Sequence, residues 1–137
     1  IAGGAVAAAV VLSLIGPVLR DANDMGPQFR TELASGDGTF VLVAQMVPAR
    51  NEIIIERVSG TPPAGRSLEL WLIAEGSSVP VSLGILDSVS VTRVQLADDI
   101  APDVLTGTIA ISDEPLGGSP TGGPTGTVLA TGVFEDT

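Results

Sequence analysis

The sequence predicts an all-β fold, an antiparallel β-sandwich-like domain, preceded by a single N-terminal transmembrane helix. Three observations predict it: a charge-free apolar run over residues 1–19, a succession of short β-rich segments farther along, and turn-forming residues between those segments. We therefore divide the chain into a transmembrane helix (1–19), a juxtamembrane connector (20–38) and a β domain (39–137).

The first nineteen residues are Ile, Val, Leu, Ala and Gly, interrupted only by Ser13 and Pro17. As a helix this run would reach about 28 Å, close to the ~30 Å hydrocarbon core of a bilayer. A signal peptide and a buried core helix are the alternatives, but no basic flank is visible and the run is long for either. Because the chain starts with Ile1, we expect further sequence upstream.

Small side chains recur one turn apart in this run, a spacing that lets helix backbones approach closely. The predicted helix-packing face consists of Gly3, Gly4, Ala7, Ala8, Val11 and Ile15. We expect this face to contact another transmembrane helix or a membrane-protein complex. The alternative is a lone anchor that is simply rich in Ala.

The charges all follow the apolar run, and the net charge is −10. Such a chain repels nucleic acid, so no nucleic-acid partner is expected. The first twenty residues after the run contain only two basic residues, Arg20 and Arg30, and these lie beside several acids. Because Lys and Arg accumulate in cytoplasmic flanks, this weak basic signal predicts that the β domain lies outside the cytoplasm.

Turn-forming residues dominate the connector, which holds one short candidate strand at 29–33. Strand patterns follow with turn signals between them, and one helical turn fits within 97–105. The predicted strands are 39–47, 52–58, 67–74, 79–86, 89–96, 107–112 and 126–134.

The strand at 67–74 is apolar on both faces, with three Leu on one side and Trp71 and Ile73 beside Glu69 on the other. A strand of this kind is central in its sheet and covered on both sides. Trp71, the single Trp, is predicted to be a core anchor. Stacking against a bound sugar or peptide is the alternative.

The chain contains no His, Cys, Lys or Tyr. This removes the usual nucleophile–base pairs, thiolate or imidazole metal sites and the phosphate-binding lysine, so we expect no catalytic residue, no cofactor and no metal. The carboxylate pairs Asp98–Asp99 and Asp113–Glu114 read as solvated turn acids, since adjacent strand residues point to opposite faces. The acids at 21–24 lack the remainder of a calcium loop.

The most specific segment is the loop 113–126, which is rich in Gly and Pro and repeats Pro-Thr-Gly. Proline limits φ and glycine permits tight reversals, which favours a defined loop packed on the sheet over a flexible connector. Its candidate residues are Asp113, Glu114, Pro115, Gly117, Gly118, Ser119, Pro120, Thr121, Gly122, Gly123, Pro124, Thr125 and Gly126.

Three segments of the chain carry a resemblance to a known family. They are Leu-Glu-Leu-Trp-Leu-Ile at 68–73, Pro-Val-Ser-Leu-Gly-Ile-Leu at 80–86, and Ile-Ser-Asp-Glu-Pro at 111–115, which leads into Gly-Gly-Ser-Pro-Thr-Gly at 117–122. Over residues 39–132 the chain resembles the C-terminal domain of RskA-type anti-sigma factors. The resemblance implies a single-span protein of the bacterial inner (cytoplasmic) membrane whose periplasmic β domain restrains regulated proteolysis. A cytoplasmic N-terminal domain would hold the sigma factor.

Family members bind sigma through a helical segment before the span, often with a His and Cys zinc motif. This sequence has no such residues, so sigma binding would require an upstream domain and cannot be assigned to any position here. The expected function is therefore that of a non-catalytic, membrane-anchored regulatory domain. Alternatives are an accessory single-span subunit of a larger bacterial membrane-protein complex and a periplasmic module that binds a peptide or glycan.

Overall fold

Two antiparallel sheets form the fold in a computed structural model that describes residues 26–86 and 90–136. Sheet A has the strand order β6-β3-β2-β1-β9 and sheet B the order β5-β4-β7-β8. The strands are β1 Phe29–Ala34, β2 Val41–Val47, β3 Glu52–Ser59, β4 Arg66–Ile73, β5 Val81–Leu86, β6 Val91–Gln95, β7 Thr108–Pro115, β8 Val128–Gly132 and β9 Glu135–Asp136. A 3-10 turn, Pro48–Arg50, and one short helix, α1 Ala101–Thr106, complete the described elements.

The predicted all-β fold with two sheets is confirmed, and each of the seven strands predicted after residue 38 overlaps one of β2 to β8. The predicted helical turn corresponds to α1. β1 lies inside the segment predicted as connector, where it pairs with β2 along its whole length. The predicted transmembrane helix lies outside the described residues, among which no helix is long and apolar enough to cross a bilayer.

Alternating side chains of the two sheets meet between them and form the core. Sheet A contributes Leu33 of β1 together with Leu42, Ala44, Met46, Ile53 and Ile55, and sheet B contributes Leu68, Leu70, Leu72, Ile109 and Ile111. This period-2 pattern directs alternate side chains of each central strand into the core between the sheets and the others to the outer face of their own sheet. Ala101 and Val104 of α1 join the same cluster.

β4 is buried on both faces, as the sequence predicted for a central strand. Its residues Leu68, Leu70 and Leu72 face the core between the sheets. The intervening Glu69 and Trp71 are also buried, although they point to the opposite side of sheet B. A further layer must therefore cover the outer face of this sheet.

Strands from both ends of the described chain meet on one edge of sheet A. β9 pairs with β1, with Arg30 opposite Glu135 and Phe29 opposite Asp136. Gly132 of β8 lies against β1 as well, where a Cβ at Gly132 would come within 2.6 Å of Thr31 Oγ1. β1 is thus enclosed between β2 and β9 and has β8 packed against it.

Candidate functional site

The outer face of sheet B carries a set of buried polar side chains around Trp71. In the register of β4 and β7, Ser67 lies opposite Glu114, Glu69 opposite Ser112 and Trp71 opposite Ala110. Direct antiparallel partners point to the same side of a sheet, so these side chains share one face. We call Ser67, Glu69, Trp71, Ala110, Ser112 and Glu114 the covered face; all six residues are buried.

A chain of hydrogen bonds links the indole of Trp71 to a carboxylate. Trp71 Nε1 donates to Ser112 Oγ at 2.8 Å, and that hydroxyl donates to Glu114 Oε2 at 2.6 Å. A buried indole N–H needs an acceptor. The serine oxygen provides it, while the serine hydroxyl itself donates a hydrogen bond to the glutamate. Trp71 is fully buried, but it lies on the covered face and not between the sheets.

The loop that follows β7 supplies the missing layer. We call residues 116–127 the strap. Its second half bonds to Glu114: the backbone N–H of Thr125 reaches the carboxylate at 3.1 Å, the Thr125 hydroxyl at 2.5 Å and the N–H of Gly126 at 3.2 Å. With Ser112, these donors surround a carboxylate that has no exposed surface. Buried charge is tolerated here because four donors replace water.

Burial and hydrogen bonding shift the pKa of Glu114 in opposite directions. Burial raises the pKa of the Glu114 carboxyl, whereas the hydrogen bonds from Ser112, Thr125 and Gly126 lower it. The hydrogen bonds outweigh burial, so the pKa lies below its usual value and the group is ionised at neutral pH.

Glu69 holds the first half of the strap in a similar way. Its Oε1 accepts the backbone N–H of Ser119 at 2.7 Å, and its Oε2 accepts the hydroxyl of Ser82 on β5 at 2.5 Å. Nearby, the N–H of Gly117 donates to Ser67 Oγ at 3.0 Å. Two glutamates on the covered face therefore bind backbone N–H groups of the strap at separate points.

Glycine is required at two points where the strap approaches the sheet. Gly118 has φ of +105°, and a Cβ there would lie 2.6 Å from Ile85 Cδ1 and 3.1 Å from Glu69 Oε1. At Gly126 a Cβ would overlap the carbonyl oxygen of Asp113. The backbone of the strap can therefore reach the carboxylates only because these residues lack a side chain.

The structure separates the adjacent acids that the sequence paired. Asp113 forms an ion pair with Arg66 at 2.9 Å, and Glu114 points to the covered face, as expected for neighbours on a strand. The interpretation of both as solvated turn acids is wrong for Glu114, which belongs to β7 and is fully buried. Glu69 was not singled out as a candidate, although its position between apolar residues of a doubly buried strand was an available signal.

Another sequence prediction concerns the N-terminal apolar run. The helix-packing face, Gly3, Gly4, Ala7, Ala8, Val11 and Ile15, lies outside the described residues. Across 26–86 and 90–136, no group of three or more acidic side chains is arranged to hold a metal ion. What the site offers is a set of hydrogen-bond acceptors, each already occupied by the strap or by a neighbouring hydroxyl.

A family model described as anti-sigma-K factor rskA, C-terminal, matches residues 3–128. The chain belongs to this family. The match confirms the resemblance read from the sequence and includes both glutamates and the whole strap. No curated protein and no solved structure matches the chain. As an RskA C-terminal domain, the chain is a domain of an anti-sigma factor, and the covered face and strap are features of that domain.

Acid is expected to destabilise this RskA domain in two steps. Because the folded pKa of Glu114 is lowered from 4.5, the stability contributed by its charge is complete above that pH and lost as the pH falls through the folded value. The pKa of Asp37 is lowered to about 2, chiefly by the Thr39 N–H and the Ser35 hydroxyl, so its contribution is complete above pH 3.8 and is lost as the pH falls toward about 2. Urea unfolding of wild type, Glu114→Gln and Asp37→Asn between roughly pH 2 and pH 6 measures both steps.

Glu114→Gln is expected to flatten the pH profile from 4.5 downward, and Asp37→Asn only between 3.8 and about 2. A Glu114→Gln variant that kept the slope of the wild type near pH 4 would contradict the assignment of this carboxylate.

Proposed function

We propose that the chain is the extracytoplasmic regulatory domain of a membrane-anchored anti-sigma factor. Membership of the RskA C-terminal family carries this proposal. The charge-free run at 1–19 supports a membrane anchor, and the small number of basic residues after it supports a periplasmic location in the bacterial inner membrane. The sigma factor is held by a domain upstream of this sequence.

The domain acts by restraint and not by catalysis. The sequence lacks His, Cys, Lys and Tyr, and the two carboxylates of the covered face already accept hydrogen bonds from the strap, Ser82 and Ser112. Groups held in this way contribute to a fixed structure and are poorly placed to move protons to or from a substrate. The family membership likewise favours a regulatory domain over an accessory structural subunit.

Regulated proteolysis would act on the connector before β1. From Phe29 onward the backbone is paired with β2, and the N–H of Gln28 already donates to Met46 O at 3.0 Å. Proteases bind their substrates as extended, unpaired chains, so residues 29–34 are protected while sheet A is intact. We therefore place the cleavage before Gln28, because the exposed turn after β1 is held by hydrogen bonds of Ser35 and Asp37.

We expect the full-length anti-sigma factor to be cleaved within residues 20–27 when signalling is active. Fragments from membranes would be mapped by N-terminal sequencing while transcription from a sigma-dependent reporter is measured. A form lacking residues 39–137 exposes β1 on the side of β2 and is expected to be cleaved constitutively, with the reporter switched on.

Gly123→Ala serves as the control, because a Cβ at this position meets nothing within 4 Å. It should leave both cleavage and the reporter at the level of the wild type. Cuts confined to the β domain, or a silent reporter in the truncated form, would contradict the proposal.

A further inference from the structure

The two halves of the strap are attached to the covered face with different strengths. The second half has three direct bonds to the fully buried carboxylate of Glu114, two from Thr125 and one from Gly126. The first half has a single bond to Glu69, from the N–H of Ser119, one from Gly117 to a serine hydroxyl, and one from the N–H of Gly118 to the carbonyl oxygen of Pro115. Bonds to a carboxylate are the stronger kind, and the first half has one of them against three in the second half, so the first half is the weaker attachment.

Residues 119–123 form a small turn that is bonded within itself. Ser119 Oγ donates to the carbonyl oxygen of Gly123, and the N–H of Thr121 donates to Ser119 Oγ at 3.2 Å. The hydroxyl of Thr121 also reaches Gly123 O at 3.2 Å. Such a turn can move as one body without losing its own hydrogen bonds, and Pro120, Thr121 and Gly122 are already exposed.

Glycine residues that can act as hinges lie at both ends of this turn. Gly117 and Gly118 precede it with φ of +90° and +105°, and Gly123 leads into Pro124 after it. Glycine has access to a wider range of backbone angles than any other residue, so rotations concentrate there. Residues 116–127 carry no charge, and the charged groups on the neighbouring β4 and β7 are Arg66, Glu69, Asp113 and Glu114.

We propose that residues 117–123 form a flap that lifts from Glu69 while Thr125 and Gly126 remain bound to Glu114. Opening uncovers the Glu69 carboxylate and the neighbouring Trp71 of the covered face, next to Ser82, which is already exposed. This inference concerns the domain alone and does not depend on the proposed role in proteolysis.

Amide hydrogen exchange of the intact protein, measured by NMR, tests the flap. After correction for intrinsic rates, the Ser119 amide of the wild type is expected to exchange at least about tenfold faster than those of Thr125 and Gly126. Glu69→Met removes the acceptor at similar volume and is expected to speed exchange at Ser119 by a further factor of about ten, with Thr125 unchanged. Acrylamide quenching of the single Trp should rise in the same variant.

Ser82→Ala is the matched control, because it removes the other partner of Glu69 without touching the strap. It should leave the exchange of Ser119 within about threefold of the wild type. Equal exchange of Ser119, Thr125 and Gly126 in the wild type would overturn the proposal, since the strap would then open as a unit. That measurement decides the matter even if Glu69→Met fails to fold.

Discussion

Replacing Gly126 with Ala is expected to lower the free energy of unfolding by about 3 kcal/mol. A Cβ at this position would overlap the carbonyl oxygen of Asp113, and both groups belong to backbone that cannot rotate out of the way. The strap or the end of β7 must shift, and a shift at Gly126 also weakens its hydrogen bond to Glu114. Urea denaturation of the purified protein, followed by fluorescence of the single Trp, measures the loss.

Gly123→Ala is the control for this substitution. It lies in the same loop, its φ is not in the left-handed region, and a Cβ there would meet nothing within 4 Å. We expect a change within about 0.5 kcal/mol. Similar losses for the two variants would mean that the close approach at Gly126 has no energetic consequence.

Glu114→Ala is expected to cost about 3 kcal/mol as well, for a different reason. The carboxylate accepts hydrogen bonds from Ser112, Thr125 and Gly126, and its removal leaves the buried hydroxyl of Ser112 and the partly buried donors of the strap without this acceptor. Release of the strap limits this loss of stability, because water can then bind the donors that have lost the carboxylate. Trp71 fluorescence should change in parallel, because Trp71 is bonded to Ser112.

Two further variants separate charge from general effects of removing a glutamate. Glu114→Gln keeps the volume and one carbonyl acceptor, so it should fall between wild type and Glu114→Ala. Glu56→Ala removes an exposed glutamate from β3 and should change stability by no more than about 0.5 kcal/mol. If Glu114→Ala were no more damaging than Glu56→Ala, the carboxylate would not be what holds the strap.

The local pattern of apolar and turn-forming residues in the sequence was sufficient to predict most of the strands. Alternating apolar residues bounded by Gly and Pro mark β2 to β8, and the doubly apolar pattern of β4 predicted its central place. β9 could not be predicted in this way, because Glu135 and Asp136 have low strand propensity and pair only through contact with β1. β7 was predicted to end at Ser112 because Pro115 and two acids resemble the start of a turn.

The covered face was harder to predict than the sheets. Glu114 is buried because N–H groups from another segment are aimed at it, and the direction of those groups depends on how the strap folds back. Sequence spacing reveals that Ser112 and Glu114 share a face, but not that the face is covered. The Gly-Gly-Ser-Pro-Thr-Gly element was nevertheless recognisable as the most specific part of the family resemblance.

The pairing of β1 with β9 has a consequence for how the domain is made. Among the strands that the structure describes, β1 is the first to leave the ribosome, yet its second neighbour consists of Glu135 and Asp136, far along the chain. Sheet A therefore stays incomplete until synthesis has passed these residues, and the final folding step has to wait for them. A nascent chain interrupted before Val133 would carry β1 with one open edge, a template for pairing with other extended chains.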